Sequence, residues 1–279
     1  MTTSTSSPPP TKPVGPDAVP TPASGAPVEA PASPKRRRGA RAGWWLVAFV
    51  VACGWDRAVW LMVTRAGRPT LQWLEDSLAW ETLLVLLRGA LRMRGQAIGE
   101  AAAAIGYGAL YLYGRMWPWI ALALVFIFRH WAGTDGARVK AGLRRGVFVV
   151  LVPGAAGLAA EAMKLLTRRM RPEAMDGYYQ FRPWPGSGVL SERFWNASGL
   201  GLASSHAAVA FGGALAAGVL LPRWRWVLWG SAVLCALGRV AVGAHYLSDV
   251  VAGAALAFGA FHLFYAWDRR NNRGVPIGA

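Results

Sequence analysis

The sequence predicts an all-α fold, a bundle of six transmembrane helices. Three observations carry that prediction: apolar runs near the length of a bilayer crossing, 16% charged residues against 54% hydrophobic ones, and a net charge of +16 gathered beside the runs. A soluble domain carries about 25% charged residues, and a hydrocarbon layer about 30 Å thick takes ~20 apolar residues per helix. Basic residues beside membrane helices mark cytoplasmic loops, whereas a nucleic-acid binder gathers them on a soluble face. Nucleic acid is therefore not expected as a partner. Cys53 and Cys235 both lie inside apolar runs and offer neither a disulfide framework nor metal-ligand spacing.

Residues 1–42 are rich in Pro, Ala, Ser and Thr and carry too little apolar surface to offset their ordering entropy, so a disordered tail is expected. The basic run at 35–38, with Arg41, holds that tail on the cytoplasmic side. The membrane domain spans 43–268, followed by a short cytoplasmic tail at 269–279. A first span at 44–64 contains Asp56 and Arg57, which read as a mutually neutralised pair near the interface. Residues 50–53 (VVAC) look like a lipoprotein cleavage box, but the long preceding tail and the further spans favour an uncleaved helix. Between 70 and 95, leucines at helical spacing alternate with charges, which predicts an amphipathic helix lying on the membrane surface.

The second span, at 101–128, is interrupted by Arg115 and Pro118. The basic stretch 129–145 reads as cytoplasmic like the tail, so an even number of crossings separates them and a single kinked helix is expected. Further spans follow at 147–166, 205–221, 226–241 and 248–267. Prolines and glycines break the long connection at 168–204. With both termini in the cytoplasm of a bacterial inner membrane, the ends of spans three and five and the starts of spans four and six meet on the outer face.

Three polar patches stand at those helix ends: KLLTRRMRP at 164–172, ASSH at 203–206 and RVAVGAHYLSD at 239–249. Together they supply cations, serines, two histidines and a carboxylate. Cations neutralise a phosphoryl group, and hydroxyls with free helix-start N–H groups bind its oxygens. A histidine held by a carboxylate can attack phosphorus, while a second histidine protonates the leaving oxygen. Lys164 and Arg171 are seven apart and share a face if the helix persists to Pro172. Arg168 and Arg169 read as flanking cations reaching for headgroups. Glu161, one turn before Lys164, is placed to pair with it. Ser204 or Ser205 serves equally as an N-cap, and Asp249 is placed to fix the tautomer of His245 four residues earlier. His130 and His262 lack such surroundings.

These patches resemble the three-part signature of the type 2 phosphatidic acid phosphatase superfamily, KxxxxxxRP, PSGH and SRxxxxxHxxxD. The first part is complete in Lys164, Arg171 and Pro172. The second keeps Ser204 and His206, with Ala203 and Ser205 in place of Pro and Gly. The third keeps Arg239, His245 and Asp249, with Gly238 in place of Ser. The resemblance covers about 147–268.

It implies an integral membrane lipid phosphatase with His245 as the nucleophile that becomes phosphohistidine, Asp249 orienting it, and His206 as acid and then base. Lys164, Arg171, Ser204, Ser205 and Arg239 would hold the phosphoryl oxygens, and the resemblance implies no metal and no other cofactor. The implied substrate is a lipid phosphomonoester or pyrophosphate such as phosphatidic acid, phosphatidylglycerol phosphate, undecaprenyl pyrophosphate or a lipid A type. A phosphotransferase, or a lipid-phosphate binder or transporter that does no chemistry, remains the alternative. The related vanadium haloperoxidases share the site pattern but are soluble.

Overall fold

The computed structural model describes residues 34–65, 106–131, 136–175, 177–185, 195–272 and 277. The tail up to residue 33 and the amphipathic helix expected at 70–95 lie outside them. Among the described residues the regular structure is helical: α1 (Pro34–Arg65), α2 (Gly106–Tyr113), α3 (Met116–Trp131), α4 (Gly136–Thr167), α5 (Ser205–Leu220), α6 (Arg225–Ala241) and α7 (Leu247–Asn271). Short 3-10 turns stand at Pro172–Met175 and Pro222–Trp224.

Gly43–Thr64 of α1, α4 and α7 are each long and apolar enough to cross a membrane. Helices α2 and α3 make a fourth crossing if taken together, bent by 69° where Gly114 and Arg115 separate them. The interruption read at Arg115 and Pro118 is thus a sharp break followed by a helix that contains the proline in its first turn, where a missing N–H is tolerated. Helices α5 and α6, with 16 and 17 residues, reach only about 24–26 Å at ~1.5 Å per residue.

The outside of the bundle is apolar. Leu158, Leu263 and Phe128 are 74%, 66% and 64% exposed, which a water-facing surface would not tolerate in such density. The chain is a membrane-embedded, multi-pass protein. Trp44, at the start of the apolar span of α1, and Trp117, Trp131, Trp224, Trp226 and Trp267, near helix ends, are exposed as interface anchors are. Trp60 and Trp119 instead are buried in the packing.

Two boundaries differ from the sequence expectation. Helix α1 starts at Pro34, ahead of the basic run. Helix α4 starts at Gly136, so most of the basic stretch 129–145 is helical and not a loop. Two of the cations there pair across the bundle: Arg144 makes a two-pronged pair with Asp268 of α7, both contacts at 2.6 Å, and Arg145 reaches His130 and the Ile277 carbonyl, each at 3.3 Å.

Helix α5 forms the centre, and every residue from 207 to 217 is buried, with α4, α6 and α7 packed around it. Small residues make this possible, although they serve different neighbours. Gly212 faces the backbone of Pro153 on α4, Gly213 faces the ring of Trp119 on α3, and Gly253 of α7 faces α5, whereas a Cβ on Gly259 would meet none of the described residues. A Cβ on Gly253 would stand 2.5 Å from the Ser204 carbonyl oxygen and 3.1 Å from the Ala208 nitrogen. Gly253→Ala is therefore expected to lower stability by about 1–3 kcal/mol, the range for overpacking. An unfolding midpoint in detergent equal to that of the unaltered protein would refute so close a contact.

Candidate active site

Helix α4 does not persist to Pro172. It ends at Thr167, whose Oγ1 donates to the Met163 and Leu202 carbonyls, and Arg168 takes a left-handed φ of 53°. The next residues run extended because both flanks offer backbone partners. On one side Met170 N donates to Gln180 O and Arg182 N to Arg168 O, each at 2.8 Å. On the other, Arg171 N donates to Gly199 O at 2.9 Å and Gly201 N to Arg169 O at 2.7 Å. The first patch is thereby stitched to the loop that leads into the second, and Arg171 reaches the site from that loop, its Nε on the Leu200 carbonyl at 3.4 Å.

Ser204 caps α5: its Oγ accepts from Ala207 N at 3.4 Å, and its own N–H donates to the Asp249 carbonyl at 2.9 Å. That last bond ties the second patch to the third. Ser205 Oγ accepts from Lys164 Nζ at 3.0 Å, and Lys164, buried, also pairs with Glu161 at 2.7 Å. The serine that replaces glycine in the second motif is thus held by the lysine of the first. Lys164 feels the charges of Arg171 and Arg239 as well, so three cations share one locality.

His245 sits in the turn between α6 and α7, fully buried, with Nδ1 3.3 Å from Asp249 Oδ2. The same carboxylate oxygen accepts from Tyr246 N at 2.8 Å. A proton on Nδ1 facing the carboxylate leaves the lone pair on Nε2. Burial pushes the imidazole down to about 4 against the upward pull of Asp249, and the charges of Arg239 and Arg171 push the same way as burial. Arg239, also buried, donates to Tyr107 Oη at 3.3 Å and lies 5.5 Å from the Tyr111 ring. The Tyr107 ring stands 3.3 Å from where a Gly238 Cβ would be, so glycine in place of the family's serine leaves space for that tyrosine.

His206 faces the break between α2 and α3, its ring 4.7 Å from that of Tyr111. Its Nε2 is buried with no hydrogen-bond partner among the described residues, an arrangement that leaves one ring nitrogen available. Lys164, Arg171, Ser204, Ser205, His206, Arg239, His245 and Asp249 therefore all stand at the same end of the bundle, while Arg144 and Asp268 mark the opposite end. Among the described residues no group of three or more His, Cys, Asp or Glu side chains is arranged to hold a metal ion.

Two sequence expectations are corrected here. Arg168 and Arg169 do not reach outward; both are buried. Arg168 donates to the Arg182 carbonyl at 3.3 Å and lies 5.7 Å from the Trp184 ring. Arg169 pairs with Asp249 Oδ1, donates to Ser248 Oγ at 2.8 Å, and lies against the rings of both Tyr179 and Tyr246, at 4.9 and 5.1 Å. Burial works against the Arg169 charge, yet Asp249, with Tyr179 and Asp56, holds it above the ordinary arginine value.

Nor do Asp56 and Arg57 neutralise each other. Arg57 donates to Tyr178 Oη at 2.6 Å, whereas buried Asp56 accepts from Ser248 and Tyr179. An acid inside a membrane helix was the available signal for Asp56; nothing local distinguishes Arg169 from its basic neighbours.

A membrane-embedded helical bundle with a buried, carboxylate-held histidine among cations at one end is the class these features define. The family model described as the PAP2 superfamily matches residues 145–273. The chain is 33% identical over 118 residues to a lipid A 1-phosphatase of Rhizobium johnstonii, covering 42% of this chain and 44% of that protein. It is 35% identical over 105 residues to a lipid A 1-phosphatase of Rhizobium etli, covering 37% and 40%. The chain thus spans less than half the length of these curated relatives. Among solved structures, a transmembrane PAP2 type phosphatidylglycerolphosphate phosphatase from Bacillus subtilis aligns with a TM-score of 0.41 and 21% identity, over 69% of this chain and 96% of that one.

Proposed function

We propose that this protein is an integral membrane lipid phosphatase that works through a phosphohistidine at the outer membrane face. The observation that carries the proposal is the His245–Asp249 pair, buried within reach of the charges of Arg239 and Arg171. His245 Nε2 attacks phosphorus, the P–O bond to the lipid breaks, and His206 gives its proton to the departing oxygen. His206 then takes a proton from water, the hydroxide attacks phosphorus, the P–N bond breaks, and inorganic phosphate leaves with His245 regenerated. Lys164, Arg171 and Arg239, with the Ser204 and Ser205 groups at the start of α5, hold the phosphoryl oxygens. Helix ends level with the headgroups let the acyl chains stay in the bilayer. Six crossings with both termini inside put those ends on the outer face, and the curated relatives' names favour a lipid A type phosphate as the substrate.

The test is phosphate release by the purified protein in detergent with chelator present, on lipid A type, phosphatidic acid, phosphatidylglycerol phosphate and undecaprenyl pyrophosphate substrates. Release from at least one supports the reading. Transfer to an added alcohol in place of release points to a phosphotransferase, and neither reaction on any lipid overturns the enzyme assignment.

The pH profile gives a second check. His245 must be neutral to attack, so kcat/KM, which reports the free enzyme, falls on the acid side through about 4 and not through the ordinary imidazole value of about 6.5. The groups that set this limb are Asp249 from α7, Arg239 from α6, Arg171 from the loop, Glu161 from α4 and His206 from α5. A limb centred near the ordinary value would count against a buried nucleophile.

A further inference from the structure

We propose that Asp56, on α1 and outside the residues matched to the family, is a positioning residue for the His245–Asp249 pair, acting through Ser248 and Arg169. The proposal rests on the reading of His245 as the nucleophile.

Helix α1 lies antiparallel against α7, with Trp45 beside Phe258 and Asp56 beside Ser248. Near its last turns, Asp56, Val59 and Trp60 line one crevice with Val240, His245, Tyr246 and Leu247. Gly177, at φ 81°, adapts the preceding loop to the same helix, since a Cβ there would collide with the Trp60 ring.

Asp56 grips the start of α7 with both carboxylate oxygens. Oδ1 accepts from Ser248 N at 2.8 Å, and Oδ2 accepts from Ser248 Oγ at 2.5 Å and from Tyr179 Oη. An ionised carboxylate at a helix N-terminus satisfies a free N–H and meets the favourable end of the helix dipole. That much is a structural cap.

The hydroxyl does more. Ser248 has one hydroxyl proton, and giving it to Asp56 turns a lone pair toward Arg169, whose Nη2 donates to Ser248 Oγ at 2.8 Å. The other proton of that nitrogen goes to Asp249 Oδ1. With Oδ1 so held, Oδ2 faces His245 Nδ1 and Tyr246 N. The charge on Asp56 therefore sets the direction of the Ser248 hydroxyl, which can either donate or accept, and so decides whether Arg169 finds an acceptor there while it holds Asp249.

An asparagine at 56 reverses this order. Its amide can still accept from Ser248 N, but its NH2 donates to Ser248 Oγ and turns the hydroxyl proton toward the Arg169 guanidinium. Arg169 loses an acceptor and its hold on Asp249 shifts.

The experiment compares Asp56→Asn, Ser248→Ala, the double variant and His245→Ala in the full chain in detergent. It measures kcat and KM per folded protein on the preferred lipid, together with the unfolding midpoint. The expected result is a fall in kcat of about 10- to 100-fold for Asp56→Asn, the range for groups that orient a site histidine, with KM within about 3-fold. Ser248→Ala should fall in the same range, and the double variant should be no worse than the more impaired single within about 3-fold, since both act along one chain of contacts.

A cap alone lowers the midpoint and leaves kcat per folded protein unchanged. That result, a change confined to KM, or independent multiplying losses in the double variant would each overturn the proposal. Should Asp56→Asn not fold, Ser248→Ala decides, and unaltered kcat there overturns it. If His245→Ala keeps its activity, the nucleophile assignment fails instead, which is a separate result.

Discussion

Replacing His245 by alanine is expected to lower chelator-resistant phosphate release by at least about 10³-fold, while lipid binding changes little. In the proposed mechanism the imidazole makes the bond to phosphorus, and without it water alone must attack. On the same reading Lys164, Arg171 and Arg239 remain to hold the phosphate, so an inhibitory lipid phosphate should compete with about the affinity it has for the unaltered protein. The measurement pairs single-turnover release with lipid competition. Residual release within tenfold of the unaltered enzyme would show that the nucleophile lies elsewhere, and loss of binding in parallel with rate would show that His245 is a phosphate ligand.

Asp249→Ala carries the largest combined effect, on rate and on stability together. This carboxylate is fully buried and receives Arg169, His245 Nδ1 and the Tyr246 N–H. Deleting it leaves the Arg169 guanidinium buried beside two tyrosine rings without its counter-charge, and breaking such a pair costs about 3–5 kcal/mol. Asp249→Asn separates the two effects. It keeps the shape, but an amide NH2 in place of Oδ2, which His245 Nδ1 and Tyr246 N share, would present a donor to the imidazole and favour the wrong tautomer, while an NH2 in place of Oδ1 would face the Arg169 donor. A rate loss of about 10²–10⁴-fold is expected there, with a smaller fall in the unfolding midpoint. An Asp249→Ala protein with unchanged midpoint would contradict the Arg169 pairing, and an Asp249→Asn enzyme with unchanged rate would contradict the orienting role.

The site residues whose partners the sequence did not reveal are charged. Arg168 and Arg169 look like any basic flank of a membrane helix, and Asp56 beside Arg57 looks like a local ion pair. In the fold each finds a partner far along the chain: Ser248 lies 192 positions from Asp56 and Asp249 lies 80 from Arg169. Burying a charge is tolerable only where an opposite charge and donors of correct direction meet it, and that depends on which helices touch. The end of α4 was likewise unreadable. Lys164 to Arg171 is a good helical spacing, yet the backbone at 168–171 leaves the helix because extended partners at 180–182 and 199–201 are close by.

What the sequence determined by itself was the all-α membrane architecture, the approximate position of the helices that carry the motifs, and the set of residues gathered at one end of the bundle. These follow from local properties: the length and polarity of each run, and side chains at helix ends whose order along the chain alternates from one end to the other. Tertiary structure alone decided which donors face which acceptors. It joined Lys164 to Ser205, tied Ser204 to the Asp249 backbone, and brought Asp56 from α1 to the start of α7. The reason is that a hydrogen bond is set to within a few tenths of an ångström by packing, and close approaches such as Gly253 against Ser204 come from the meeting of two helices, which neither helix specifies alone.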